Sequence, residues 1–93
     1  MSNYTITFTK AAKKQFEKLP TQIQSRIAKR LSVLQSDPLP YGAEQLTDFE
    51  IDGVGFDKLF RIRMGDYRIV YAVEHQIITI TIVRIKHRKE VYK

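Results

Sequence analysis

The sequence predicts an α+β domain: a two-helix hairpin packed on one face of a mainly antiparallel sheet of four to five strands, in the order β-α-α-β-β-β-β. Three observations carry this prediction. Apolar residues recur at helical spacing between residues 10 and 36. They alternate at strand spacing before that stretch and again from residue 59 onward. Gly65-Asp66 then interrupts two alternating runs at a tight-turn signal, which folds them into a hairpin.

Taken in order, Tyr4 to Phe8 alternates with β-branched and aromatic residues throughout and reads as the first strand. Thr9 is suited to cap a first helix, because its hydroxyl accepts a backbone N–H left over at the helix start. In that helix Ala12, Phe16 and Leu19 form the apolar side, and Lys10, Lys13, Lys14 and Lys18 the other. Pro20 closes it and opens the next. The second helix places Ile23, Ile27, Leu31 and Leu34 on one stripe, with Arg26, Lys29 and Arg30 outside it. Asp37-Pro38 ends it, since the residue before a proline is pushed out of the α region.

The segment from Pro38 to Asp57 is a connection. A structureless loop of that length is unusual in a small domain, so a short strand is expected near Glu44–Thr47 and a turn at Asp52-Gly53. Strand parity then sets Phe60, Ile62 and Met64 on one face and Leu59, Arg61 and Arg63 on the other. In the next strand Tyr67, Ile69, Tyr71 and Val73 oppose Arg68, Val70, Ala72 and Glu74. A turn at Glu74-His75-Gln76 leads to Ile77–Ile85, the most apolar run, expected as a central strand.

Ninety-three residues with 43% hydrophobic content form a single domain over 1–93, with one modest core. Without cysteine there is neither a disulfide nor a zinc–thiolate site, and no histidine or carboxylate spacing suggests a metal; no cofactor is expected. No apolar run approaches the length of a membrane span, and no signal-peptide pattern opens the chain, so the expected location is cytoplasmic, with no membrane partner. The net charge of +6 is unevenly distributed. Residues 1–36 carry seven Lys/Arg against one acid; residues 37–57 carry six acids and no Lys/Arg; residues 58–93 carry nine Lys/Arg against three acids. A basic surface of this kind attracts polyanions and favours a nucleic acid as partner.

With the apolar side of the hairpin facing the helices, Arg61, Arg63 and Arg68 share the opposite face. Guanidinium groups bind phosphate bidentately and stay charged, so such a cluster can position a nucleic-acid backbone or stabilise charge growing on phosphorus. The ordinary alternative is a solvated sheet face with ion pairs to Glu74 or Asp66. Lys58, Lys86 and Lys89 extend the basic surface as nucleic-acid contacts. Arg88 follows the last strand, and Tyr92 is able to stack on a base or to act through its hydroxyl. His87 is the residue here of the type that exchanges protons near neutral pH.

The chain resembles the RelE/ParE toxin superfamily on its RelE side. The resemblance rests on the stretch Phe8 to Pro20, Asp37-Pro38, Arg61-Ile62-Arg63, Gly65-Asp66-Tyr67-Arg68-Ile69-Val70-Tyr71, and His87-Arg88-Lys89-Glu90-Val91-Tyr92. It implies a toxin of a type II toxin–antitoxin pair that cuts messenger RNA in the ribosomal A site, without metal, through attack of the ribose 2′-hydroxyl on the adjacent phosphate. The family's active-site positions fall on Arg61, Arg63, Arg68, Arg88 and Tyr92. Arg68 and Arg88 would stabilise phosphate charge, Arg61 and Arg63 would hold the RNA or help in protonation, and Tyr92 would stack or help activate the 2′-hydroxyl. Arg61 and Arg63 stand where some members have lysine, and Lys86 stands where glycine is usual.

The implied partners are a cognate antitoxin, the ribosome and its messenger, with operator DNA contacted only through the antitoxin. Two other functions compete: a ParE-like toxin that inhibits DNA gyrase without nuclease activity, and a family member that binds an antitoxin without catalysis.

Overall fold

The computed structural model describes residues 3–46 and 58–91. Strand β1 (Thr5–Phe8) leads into helices α1 (Lys10–Glu17) and α2 (Thr21–Ser36). Four strands follow: β2 (Glu44–Leu46), β3 (Leu59–Met64), β4 (Tyr67–Glu74) and β5 (Thr79–His87). A short helix α3 (Arg88–Val91) continues from β5. The sheet order is β1-β5-β4-β3-β2, with β1 parallel to β5 and every other pair antiparallel. This is the expected two-helix, five-stranded architecture. The short strand expected near Glu44–Thr47 is β2, while the turn expected at Asp52-Gly53 lies outside the described residues.

Thr9 caps α1 as expected, its Oγ1 accepting from the Ala12 N–H at 3.1 Å. The same hydroxyl donates to the Val83 carbonyl at 3.0 Å, so the cap also docks the helix on β5. At that point β5 carries a bulge: Val70 pairs with Arg84 but Tyr71 pairs with Ile82, which leaves Val83 as the extra residue. Beyond the last β1 partner, Phe8 opposite Ile82, α1 takes over the edge of β5. The Thr9 N–H bonds the Ile82 carbonyl, and the Gln15 Oε1 accepts from the Ile85 N–H at 2.7 Å. A helix side chain thus satisfies backbone that the short edge strand leaves unpaired.

The core lies between the helices and the sheet face formed by Ile62, Met64, Ile69, Tyr71, Ile80, Ile82 and Ile85. Ala12, Ile27, Leu31 and Leu34 bury the predicted helical stripes against it. Ile27, Leu31 and Leu34 each contribute on the order of 1.5–3 kcal/mol through burial. Leu19 falls beyond the last turn of α1 but still packs on this core. Tyr71 is fully buried, and its hydroxyl donates to the Pro38 carbonyl at 2.7 Å, fastening the exit of α2 to the sheet.

The structure corrects the last strand in two respects. The residues after Glu74 form one turn of 3-10 helix, His75–Ile77, and Ile78 then adopts a left-handed φ of 48°, so β5 starts at Thr79 rather than Ile77. The middle of the sheet is β4; β5 is internal but lies next to the edge strand.

Candidate active site and nucleic-acid interface

The face of the sheet turned away from the helices carries an ordered array of cations. Register places Arg63 of β3, Arg68 of β4 and Lys86 of β5 side by side in one row. The next row, two residues further from the hairpin turn, reads Arg61, Val70 and Arg84. Neighbouring strands lie about 5 Å apart, so these cations are close enough to act together on one bound anion.

This face is not uniformly wet. Leu59, Val70, Ala72 and Val83 form a second buried cluster on it, joined by Leu46. Arg68 stands at the border of that apolar floor and is itself only 8% exposed. Arg63 is exposed, and Arg61 is half-buried and held by Glu44 at 2.7 Å. An apolar floor lowers the local dielectric and strengthens whatever charge interaction the arginines make.

Arg88 joins from the end of β5. Its backbone N–H donates to the Asp66 carbonyl at 2.7 Å, and its Nε lies 3.9 Å from the Asp66 carboxylate. The Gly65-Asp66 turn, with Gly65 at φ 59°, therefore joins the strand ends that carry Arg63 and Arg68 and also holds Arg88. The bond to Asp66 supplies what strand parity lacks, a fixed position for Arg88 beside the hairpin.

The other predicted residues divide. Lys86 sits within the array, directly opposite Arg68. Lys89 lies on α3, its N–H donating to His87 Nδ1 at 3.2 Å. That bond makes Nδ1 an acceptor and puts the proton of the neutral ring on Nε2. His87 pairs with Tyr67, on the helix-side parity of the sheet, and the two rings meet edge to face at 5.1 Å. It is therefore on the side opposite Lys86 and Arg68. Lys58 precedes β3 at the end away from the turn, about 17 Å along the strand from Arg63. Tyr92 lies outside the described residues.

Arg84 was not among the predicted site residues. It has the same parity as Lys86, which is the signal that finds it. The apolar character of Ile77–Ile85 and the bulge at Val83 obscure that alternation. Among the described residues no group of three or more His, Asp or Glu side chains is placed to hold a metal.

Residues 6–92 match the family described as ParE toxin of type II toxin-antitoxin system, parDE. The chain belongs to this family of type II toxins. Within the wider RelE/ParE superfamily, the toxin is 30% identical over 91 residues to Toxin RelG of Mycobacterium tuberculosis, covering 97% of both chains. Its fold resembles the archaeal RelE–RelB complex from Pyrococcus horikoshii, with a TM-score of 0.75, 28% identity, and coverage of 92% of this chain and 96% of that one. It also resembles the toxin–antitoxin complex RelBE2 of Mycobacterium tuberculosis, with a TM-score of 0.74, 29% identity, and coverage of 95% and 94%. The toxin thus has the RelE-like α+β fold that its sequence predicted.

Proposed function

We propose that the toxin is a ribosome-dependent endoribonuclease that cuts messenger RNA in the A site and thereby stops translation. The observation that carries this reading is the row Arg63–Arg68–Lys86, with Arg88 brought alongside through Asp66. A row of cations over an apolar floor suits a phosphodiester whose negative charge increases as it reacts. In the proposed step the ribose 2′-oxygen attacks phosphorus and loses its proton, and the bond from phosphorus to the 5′-oxygen breaks. The 5′-oxygen then takes up a proton, leaving a 2′,3′-cyclic phosphate and a 5′-hydroxyl.

Arg68 and Arg88 would hold the non-bridging oxygens, Arg61 and Arg63 the flanking backbone, with Lys58 and Lys89 as outlying contacts. Guanidinium groups do not exchange protons in proteins, so the arginines serve charge, and proton transfer falls to Lys86 or Tyr92, His87 lying on the other face of the sheet. In this reading the array supplies the positive charge that a metal would otherwise bring.

A cognate antitoxin would keep the toxin silent in the cytoplasm, and operator DNA would be contacted through that antitoxin. Among the described residues β1 has one strand neighbour, β5. A groove lined by Ile6, Phe8, Phe16 and Leu31 runs beside it, an apolar seat for an antitoxin segment over the helix hairpin.

The matching family description names parDE, which keeps gyrase inhibition as the second reading. One experiment separates the two. Purified toxin incubated with programmed ribosomes is expected to cut within A-site codons. Intact message together with inhibited gyrase would overturn the nuclease reading in favour of the second.

A further inference from the structure

Helix α2 carries Arg26, Lys29 and Arg30 and no acid in sixteen residues. Arg26 and Arg30 are one turn apart, and a like-charged pair at that spacing disfavours the helix. Among the described residues neither forms an ion pair. Arg30 is fixed in place, its Nη2 donating to the Arg63 carbonyl at 3.3 Å and tying α2 to the end of β3. Arg26 lies against the hairpin turn, since a β-carbon added to Gly65 would come within 3.2 Å of its Nη2. The turn is therefore bracketed by arginines from two different elements, Arg26 from α2 and Arg88 from the end of β5.

We propose that Arg26, placed by the anchoring of Arg30, is a further phosphate contact that carries the RNA-binding track off the sheet, around the hairpin tip and onto α2. The inference rests on the ribosome-dependent reading above, and its ligand is the phosphodiester backbone of RNA in the programmed ribosome. An RNA chain favours this placement because Arg63 and Arg68 flank the same turn on the open face, so Arg26 adds a cation at the hairpin tip on the side of α2. Arg26 is exposed, so its guanidinium reaches a backbone without any rearrangement of the core. Its role is in binding, away from the reacting phosphate.

The test measures binding of the whole toxin to programmed ribosomes across a salt series, for wild type, Arg26→Gln, Arg26→Lys and Lys14→Gln. The last removes the same charge from exposed α1. Arg26→Gln is expected to lose several-fold affinity at low salt and to lower the slope of log affinity against log salt by about one. Arg26→Lys is expected to restore the slope, and Lys14→Gln to leave both unchanged. Wild-type affinity and slope in Arg26→Gln, with cleavage by the wild type intact, would overturn this proposal alone. Equal losses in Lys14→Gln would overturn it by showing a general charge effect. A loss confined to binding of poly-glutamate would overturn it by assigning Arg26 to an acidic protein partner. Failure of the wild type to bind ribosomes at all would remove the functional reading and this inference together.

Discussion

Arg63 and Arg68 stand directly opposite each other across the β3–β4 hairpin, with Lys86 next in the same row. Like charges in register destabilise a sheet by about 0.2–1 kcal/mol per pair. The exposed member of the pair is the one to remove. Arg63→Thr is expected to change stability by no more than that amount, while ribosome-dependent cleavage falls at least tenfold. Thermal unfolding and a cleavage time course on the same preparation check the two halves.

Glu44 holds Arg61 at the border of the array through a largely exposed pair. Such a pair contributes under about 1 kcal/mol, so Glu44→Gln is expected to leave unfolding almost unchanged. It releases a cation toward the polyanion, and RNA affinity at low salt is expected to rise with a steeper salt dependence. A salt titration of RNA binding reads this directly.

Thr9 is one hydroxyl with two structural tasks, capping α1 and bonding the carbonyl of the bulge residue Val83. Thr9→Val keeps the shape and loses both bonds, and is expected to cost about 1–2 kcal/mol in urea unfolding. Thr9→Ser is expected to retain most of the stability.

Burial pushes the Tyr71 hydroxyl up to about 12 from an ordinary 10.0; the Asp37 carboxylate adds to the shift and the Arg30 guanidinium opposes it. The unfolded chain releases this proton near pH ~10 while the folded protein still holds it. The resulting stability is fully present below pH ~10 and is lost as pH rises toward 12, on the order of 2–3 kcal/mol. Tyr71→Phe forfeits the bond to Pro38 at every pH, at about 1 kcal/mol, but its stability is expected to fall less over that window. Urea unfolding of both proteins at pH 9, 10, 11 and 12 gives the comparison.

Gly65 sits at φ 59°, beneath the Arg26 guanidinium. Gly65→Ala is expected to destabilise by about 1–2 kcal/mol through the left-handed backbone alone. Gly65→Asn, a residue more tolerant of that region, is expected to cost less in the same thermal scan.

Much of the fold was legible because periodicity reports burial. Ile27, Leu31 and Leu34 face the core as their spacing requires, and the two faces of the hairpin separate Arg61, Arg63 and Arg68 from Ile62, Met64 and Ile69. What stayed hidden depends on contacts between segments distant in sequence. Parity cannot follow Arg88 beyond the end of β5, where a backbone bond to Asp66 places it. A helical stripe says which side of α2 is buried, but not that Arg26 and Arg30 on its flank meet the hairpin tip. The bulge at Val83 breaks the alternation that would have pointed to Arg84. Apolar Ile77 and Ile78 hide the start of β5, because they lie in a 3-10 turn and at a left-handed residue.

The parallel pairing of Thr5–Phe8 with Thr79–Ile82 has a temporal meaning during synthesis. The helical hairpin relies on contacts close in sequence, whereas β1 gains its sheet neighbour only after some seventy further residues have been made. Arg68 likewise waits for Lys86, and Arg88 for a completed turn at Asp66. The charged face therefore assembles only after β5 has been made, as the last strand to join the sheet.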